Sequence, residues 1–381
     1  MALYLDYNAS TPIDEDVLNL MIDVYKNEYG NADSRTHVYG SEAKKVVEKA
    51  REQVSESLKI KKNEVIFTSG STESNNLAIL GLKEYGIKEN KKHIITTSIE
   101  HKSVLEPIKK LEQSGFEVDI VQPRQNGRID VQSVIDKVRE DTLLISVMHV
   151  NNETGTIQPV EELGNYLEKK DIYFHVDASQ SCGKLVEELQ RLKYDLLSIS
   201  AHKMCGPQGV GALISRIKNG KKIPLEPIMY GGGQESGLRS GTLPVALIAG
   251  FGLSCEKCLC NCIKNREGYK ENQKRLLQLI DKGQVQYDIN GDINFSVGNT
   301  LNISFKGIDS EAFMLMNQKM ISVSNGSACN SSYTYKPSYV LQAMGLDEER
   351  VEEAIRISWG KERMDFGEFI EIVDWIRREQ S

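Results

Sequence analysis

The sequence predicts an α/β protein: a mostly parallel, doubly wound sheet covered by helices, followed by a second and smaller lobe. Three observations predict it. Short apolar runs alternate with amphipathic helical stretches through the first two thirds of the chain. The rhythm changes after Leu253, where a long polar helical stretch reaches about Lys282 and shorter strands then mix with helices to the end. A length of 381 residues, with 40% hydrophobic and 27% charged side chains, supplies two sizeable cores and excludes disordered and fibrous classes.

Val65-Ile-Phe-Thr68 is the first strand, and Ser69-Gly70-Ser71-Thr72 after it is a tight glycine turn into a helix start. Amides left free at such a start bind phosphate. His93 to Thr97, Glu117 to Val121 and Leu143 to Val150 are the next three strands. Ile172 to Val176 is an apolar strand that delivers Asp177 and Gln180 at its carboxyl end. Leu196 to Ser200 closes on Ala201-His202-Lys203, and a glycine-rich turn, Gly206 to Gly211, overlaps the seventh run, Val210 to Ser215. In the smaller lobe Thr300 to Phe305 and Met320 to Val323 read as strands. Ligands of doubly wound sheets gather at the carboxyl ends of the strands, which is where Asn152, Asp177, Gln180, His202 and Lys203 fall.

A formal charge of -7 argues against a nucleic-acid surface as the main business, although the basic run Lys218 to Lys222 is available to a polyanion. The amino terminus has no basic region ahead of a long apolar stretch, and Leu243 to Leu253 is too short to span a bilayer, so a cytoplasmic protein without a membrane anchor is expected. Seven cysteines, an odd number, read as reduced thiols rather than a disulfide framework.

Lys203 is the chemical centre of this reading. An amine held at the end of a buried strand can form a Schiff base. Asp177, 26 residues upstream, lies at the end of a neighbouring strand, and a carboxylate there stabilises a protonated pyridine nitrogen. With the glycine turn before Thr72, these are the parts of a pyridoxal-phosphate site. The segments Asp177-Ala-Ser-Gln180, Ser200-Ala-His202-Lys203 and Gly231-Gly-Gly-Gln-Glu-Ser-Gly-Leu-Arg-Ser-Gly-Thr242, in this order, resemble the cysteine desulfurases of the NifS/IscS type. Those are class V members of the pyridoxal-phosphate aminotransferase fold, fold type I. The resemblance runs from Leu5-Asp6-Tyr7-Asn8-Ala9 to Arg356-Ile-Ser-Trp-Gly360.

The resemblance implies a large cofactor domain with a seven-stranded sheet over residues 15–253, and a small α+β domain of residues 1–14 and 254–381. Lys203 would hold the cofactor and shuttle the α-proton, Asp177 would pair with the ring nitrogen, Gln180 would bond the ring hydroxyl, and His101 would lie over the ring face. Ser71, Thr72, Ser200 and His202 would hold the phosphate, with Thr242 reaching across from a second subunit, so that a homodimer completes the site. Asn152 would stand near the ring hydroxyl and substrate, and Arg356 would clamp the substrate carboxylate through its planar fork.

Cys329 would decide the reaction. It lies in Ser324-Asn-Gly-Ser-Ala-Cys329-Asn-Ser-Ser-Tyr, a small and polar run that matches the long loop of the group I enzymes, including the DndA-like members. Its thiolate would take sulfur from L-cysteine as a persulfide, leaving L-alanine, and pass it to an acceptor protein of iron-sulfur assembly, tRNA thiolation or DNA phosphorothioation. A selenocysteine lyase, or another class V lyase or transaminase, is the alternative enzyme, and a scaffold without turnover is the alternative of another kind.

Two features depart from the resemblance. Cys255, Cys258, Cys260 and Cys262 form an unusual cluster; on one helix Cys255, Cys258 and Cys262 share a face and Cys260 points elsewhere, so a buried face is expected and no metal site. Ser236 stands where the family commonly has an arginine.

Overall fold

A computed structural model describes residues 2–218, 220–326 and 337–381. Its strands, in chain order, are β1 (Leu3–Tyr4), β2 (Val65–Thr68), β3 (His93–Thr97), β4 (Glu117–Val121), β5 (Thr142–Met148), β6 (Tyr173–Asp177), β7 (Leu196–Ser200), β8 (Gly211–Ser215), β9 (Ile217–Lys218) and β10 (Lys221–Lys222), then β11 (Tyr287–Asn290), β12 (Thr300–Phe305), β13 (Ile321–Ser322) and β14 (Ala354–Ser358). Seven of them make the main sheet in the order β2-β8-β7-β6-β5-β3-β4. Only β8 runs against its neighbours; β4, β3, β5, β6 and β7 pair in parallel.

Strand alternation assigns the side chains. Phe67, Ile95, Ile145, Leu197 and Ile214 belong to one core, and their chain neighbours Ile66, Ile94, Leu144, Leu196 and Leu213 belong to the core on the opposite face. A polar side chain inside the sheet is paired at His175 on β6, which lies between Ser146 Oγ at 2.8 Å and Ser198 Oγ at 3.0 Å. Helix Val38–Leu58 packs across helix Val245–Cys260, with Gly252 against Ala50, where a Cβ would fall 2.6 Å from the Ala50 backbone.

A third core holds Leu301, Ile303 and Phe305 of β12, Ile355 and Ile357 of β14, and Trp359, which is fully buried and donates its indole N–H to the Tyr269 carbonyl at 3.0 Å. Leu5 is buried in the same core, because β1 pairs in parallel with β13. The amino-terminal residues thus run from this core to the carboxyl edge of the main sheet.

The long helical stretch differs from its expected form. Helix Val245–Cys260 ends and helix Cys262–Gly283 begins with a bend of 78° at Asn261, whose side chain turns back to the Lys257 carbonyl at 2.8 Å. Cys255 and Cys258 are buried, and Cys262, which begins the second helix, is half-buried against the same core. No single helix among the described residues is long and apolar enough to cross a membrane.

Candidate active site

The carboxyl ends of β5, β6 and β7, the start of helix Ser71–Leu80 and the amino-terminal segment enclose one cavity of about 330 Å³. It is lined by Ser71, Thr72, His101, Asn152, Asp177, Gln180, His202, Lys203 and Arg356, nine of the residues singled out in the sequence. The chain turns at Gly70 with φ 152°, and no side chain caps the helix that follows, so its first amides face outward. Gly211 on β8 presses on this turn; a Cβ there would lie 2.8 Å from the Gly70 Cα. Two glycines therefore make the bend possible.

Lys203 leaves β7 in a single helical turn, and its Nζ lies 2.6 Å from the Asn8 carbonyl and 3.3 Å from that of Ala9. Asp177 ends β6. Its Oδ1 accepts from the Ser179 amide at 2.9 Å and from the Ser179 hydroxyl, and its Oδ2 accepts from the Asn75 amide at 2.8 Å. Gln180 donates to the Asn8 carbonyl at 2.9 Å. His101 caps helix Lys102–Glu112 by accepting the Ser103 amide at Nδ1, 3.1 Å away. That nitrogen is therefore unprotonated, and burial holds the imidazole below its ordinary range, which makes it a neutral ring with its proton on Nε2. Burial, reinforced by Lys203, takes His202 down to about 4.

Arg356 on β14 is nearly buried; it donates to Asp6 Oδ1 at 2.6 Å and to the Asn152 carbonyl at 3.1 Å, while its Nε has no partner. Its backbone pairs with Ser324. Glu153, next in chain to Asn152, accepts a hydrogen bond from Ser338 Oγ and stands against Gly326, where a Cβ would come within 2.5 Å of its carboxylate. Burial pushes Glu153 up to about 7. Gly326 and Ser338 bracket residues 327–336, which carry Cys329; Cys329 lies outside the described residues.

Ser200 does not line the cavity, and its hydroxyl is buried without a partner; Thr242 is exposed and lies outside the cavity of its own chain. Sequence reasoning missed Asn8, Asn75, Ser179, Lys184 and Glu100. Asn8 stood in the quoted Leu5 to Ala9 segment, and Asn75 follows Thr72 by three residues on the same helix, which were the available signals. Glu100 is fully buried and accepts from Thr97 Oγ1 at 2.7 Å and the Met148 amide at 2.9 Å; burial pushes it up to about 8, so it is a neutral acid near neutral pH.

Around Ser236, the buried Glu235 pairs with Arg51 at 2.6 Å and accepts the Phe67 amide at 2.8 Å, while Ser236 itself is left-handed at φ 60°. Cys255 and Cys258 pack beside Met204 and Cys182, and burial raises all three thiols, Cys258 to about 12, so they are inert core side chains. No group of three or more candidate metal ligands occurs among the described residues.

The sequence profile of the family described as aminotransferase class-V matches residues 3–362. The cysteine desulfurase IscS of Vibrio vulnificus strain YJ016 is 44% identical over 363 residues, covering 95% of this chain and 88% of that protein. Among solved structures, a NifS-like protein superposes with a TM-score of 0.88 at 36% identity, covering 100% of this chain and 99% of the other. DndA from Streptomyces lividans does so with a TM-score of 0.82 at 44% identity, covering 92% and 98%. A likeness of this extent, in both sequence and fold, places the chain in the class V aminotransferase family and, within it, among the cysteine desulfurases.

Proposed function

We propose that this cavity takes L-cysteine on pyridoxal phosphate, with Lys203 as the covalent anchor, and that Cys329 receives the sulfur as a persulfide while L-alanine leaves. The observation that carries the reading is the meeting of Lys203, Asp177, His101 and Arg356 in one enclosure. The residues suit the cofactor. Asp177 is a buried carboxylate at the end of β6, fit for a ring nitrogen, and the free amides after Gly70 suit a phosphate. Asn152 Oδ1 and Arg356 Nε, on residues that line the cavity, are buried without partners, polar groups that a bound ligand would satisfy. Bound there, pyridoxal phosphate would supply an electron sink for bond changes at the substrate's Cα and Cβ.

The chain's own groups would do the rest. Arg356 would exchange part of its pairing with Asp6 for the substrate carboxylate. Lys203 Nζ, once released, would take the α-proton, and neutral His101 would hold or move a proton at Nε2. The Cys329 thiolate would attack the substrate sulfur: a sulfur–sulfur bond forms, the carbon–sulfur bond breaks, and its electron pair stays on the three-carbon fragment, which is protonated to L-alanine. A second copy of the chain would add Thr242 to the phosphate site, and the exposed Tyr25, Tyr29, Tyr39 and Tyr230 supply apolar surface for such a contact. The six described cysteines are free thiols, which suits a reducing compartment, and we assign the protein to the cytoplasm. The acceptor would be a protein of iron-sulfur assembly, tRNA thiolation or DNA phosphorothioation.

Cys329→Ser tests the reading. The variant is expected to bind pyridoxal phosphate and L-cysteine yet to release no sulfur, because a hydroxyl is a poor nucleophile toward divalent sulfur. Mass spectrometry of the wild type after L-cysteine should find the added sulfur on the peptide containing Cys329. Undiminished desulfuration by the variant, or added sulfur confined to the peptide spanning Cys255 to Cys262, would make a lyase the better reading.

A further inference from the structure

Lys184 is a buried lysine, 5% exposed, on the turn that follows β6. Its Nζ donates to Gln180 Oε1 at 2.9 Å. The Gln180 amide nitrogen donates to the Asn8 carbonyl at 2.9 Å, and the same carbonyl accepts from Lys203 at 2.6 Å. The two amines therefore lie at the ends of one hydrogen-bonded row, with only Gln180 and a carbonyl oxygen between them. Lys203 and Arg356 and the thiols of Cys182, Cys205 and Cys258 act on Lys184 through space, and the carboxylates of Glu187, Glu188 and Glu267 line the same surface pocket as Lys184. Its hydrogen bond goes to a neutral amide and not to a carboxylate, which leaves the burial of this amine to be explained by what the amide does.

We propose that Lys184 is a positioning residue of the cavity: it fixes the Gln180 amide with its oxygen turned to Lys184 and its nitrogen toward Asn8, and it stands as a second basic nitrogen behind Lys203. The proposal rests on the reading of Lys203 as the lysine that holds pyridoxal phosphate. Two neighbours enforce the amide orientation independently, since the Asn8 carbonyl can only accept and a charged Lys184 can only donate. The second hydrogen of the Gln180 nitrogen is thereby left for the cavity that Gln180 lines. Burial, followed by the like charges of Lys203 and Arg356, takes Lys184 down to about 7, so it exchanges its proton near neutral pH. Repulsion between the two amines is reciprocal. A proton on Lys184 lowers the affinity of the Lys203 nitrogen for its own, and removing Lys184 raises that affinity.

The test compares full-length wild type with Lys184→Met, which keeps the side-chain volume without charge or hydrogen bond, and with Lys184→Gln, which restores a donor to Gln180 without charge. Cooperative melting of each protein is the folding control. Two quantities are read: the pH midpoint of the visible absorbance of the lysine-bound cofactor, and the Kd for pyridoxal phosphate added to cofactor-stripped protein. The midpoint should rise by about one pH unit in both variants. Affinity should fall roughly fivefold to tenfold in the Met variant and return to near wild type in the Gln variant. Unchanged midpoints and Kd in both would overturn the inference, and if only the Gln variant folds, its unchanged midpoint does so alone. A wild type that gives no visible band with pyridoxal phosphate would instead overturn the reading of the cavity, and the inference with it.

Discussion

Asp177 accepts hydrogen bonds on both oxygens from neutral donors, which fix the orientation of its carboxyl group. Ser179 supplies two donors to Oδ1 and Asn75 one to Oδ2. An asparagine would set its own NH₂ against one of those donors, besides giving up the charge a ring nitrogen needs. Asp177→Asn is therefore expected to retain pyridoxal phosphate, seen by absorbance, and to release alanine roughly 10- to 100-fold more slowly. Near wild-type release would show that Asp177 only fixes the turn at Ser179. At this scale the sequence revealed the residues whose chemistry is intrinsic: Lys203, Asp177, His101 and Arg356, side chains suited to the proposed reaction, meet in one cavity. Lys184 was not legible, and Asn75 and Asn8 only through the motifs beside them, because a lysine or asparagine acquires its role only from what folding places against it. Lys184 and Lys203 are 19 residues apart in sequence, and the row through Gln180 and Asn8 joins them.

The seven strands of the main sheet fell within two residues of their expected bounds, because each is a short run whose alternate side chains enter two different cores. The break at Asn261 was not legible. Residues on both sides of it suit a helix, and the bend of 78° needs no proline or glycine there, only the Asn261 side chain to take up the Lys257 carbonyl. Glycine positions likewise show their purpose only in the fold. Gly326 sits at φ 82°, and a methyl there would meet the Glu153 carboxylate at 2.5 Å. Glu153 is held in turn by Ser338 Oγ, which caps helix Tyr339–Ala343. Gly326→Ala thus combines a left-handed strain with a collision against a buried acid, and should cost about 1 to 3 kcal/mol. The check is a denaturant midpoint lowered to that extent, with cofactor absorbance retained in the folded protein. An unchanged midpoint would mean that Glu153 yields freely and does not hold the chain at Gly326.

Much of the molecule's pH response follows from three histidines, the buried His149 and His175 and the half-buried His202. Burial takes His149, His175 and His202 down to about 4 from an ordinary value of 6.5. A depressed value means that the unfolded chain binds the proton more readily. The stability these rings contribute is complete above about pH 6.5 and is lost as pH falls through the window down to about 4. Glu100 acts in the opposite sense: raised to about 8 from 4.5, it contributes most below 4.5, and that contribution is lost as pH rises toward 8. Loss of stability between about pH 6.5 and 4 therefore includes these histidines. His175 is the most telling of them, because it lies at the centre of the sheet between Ser146 and Ser198 and no water can reach a charge formed there. One such ring accounts for about 3 kcal/mol or less of acid destabilisation by linkage. His175→Gln removes the titration while still offering a donor and an acceptor to the two serines. Its melting temperature should lie below that of the wild type at neutral pH, since the amide fills the ring's space less well, but should fall less steeply between pH 6.5 and 4. Parallel curves for the two proteins would show that His175 keeps its proton state through the transition and that the acid limb has another source, with His149 and His202 next in line for the same substitution.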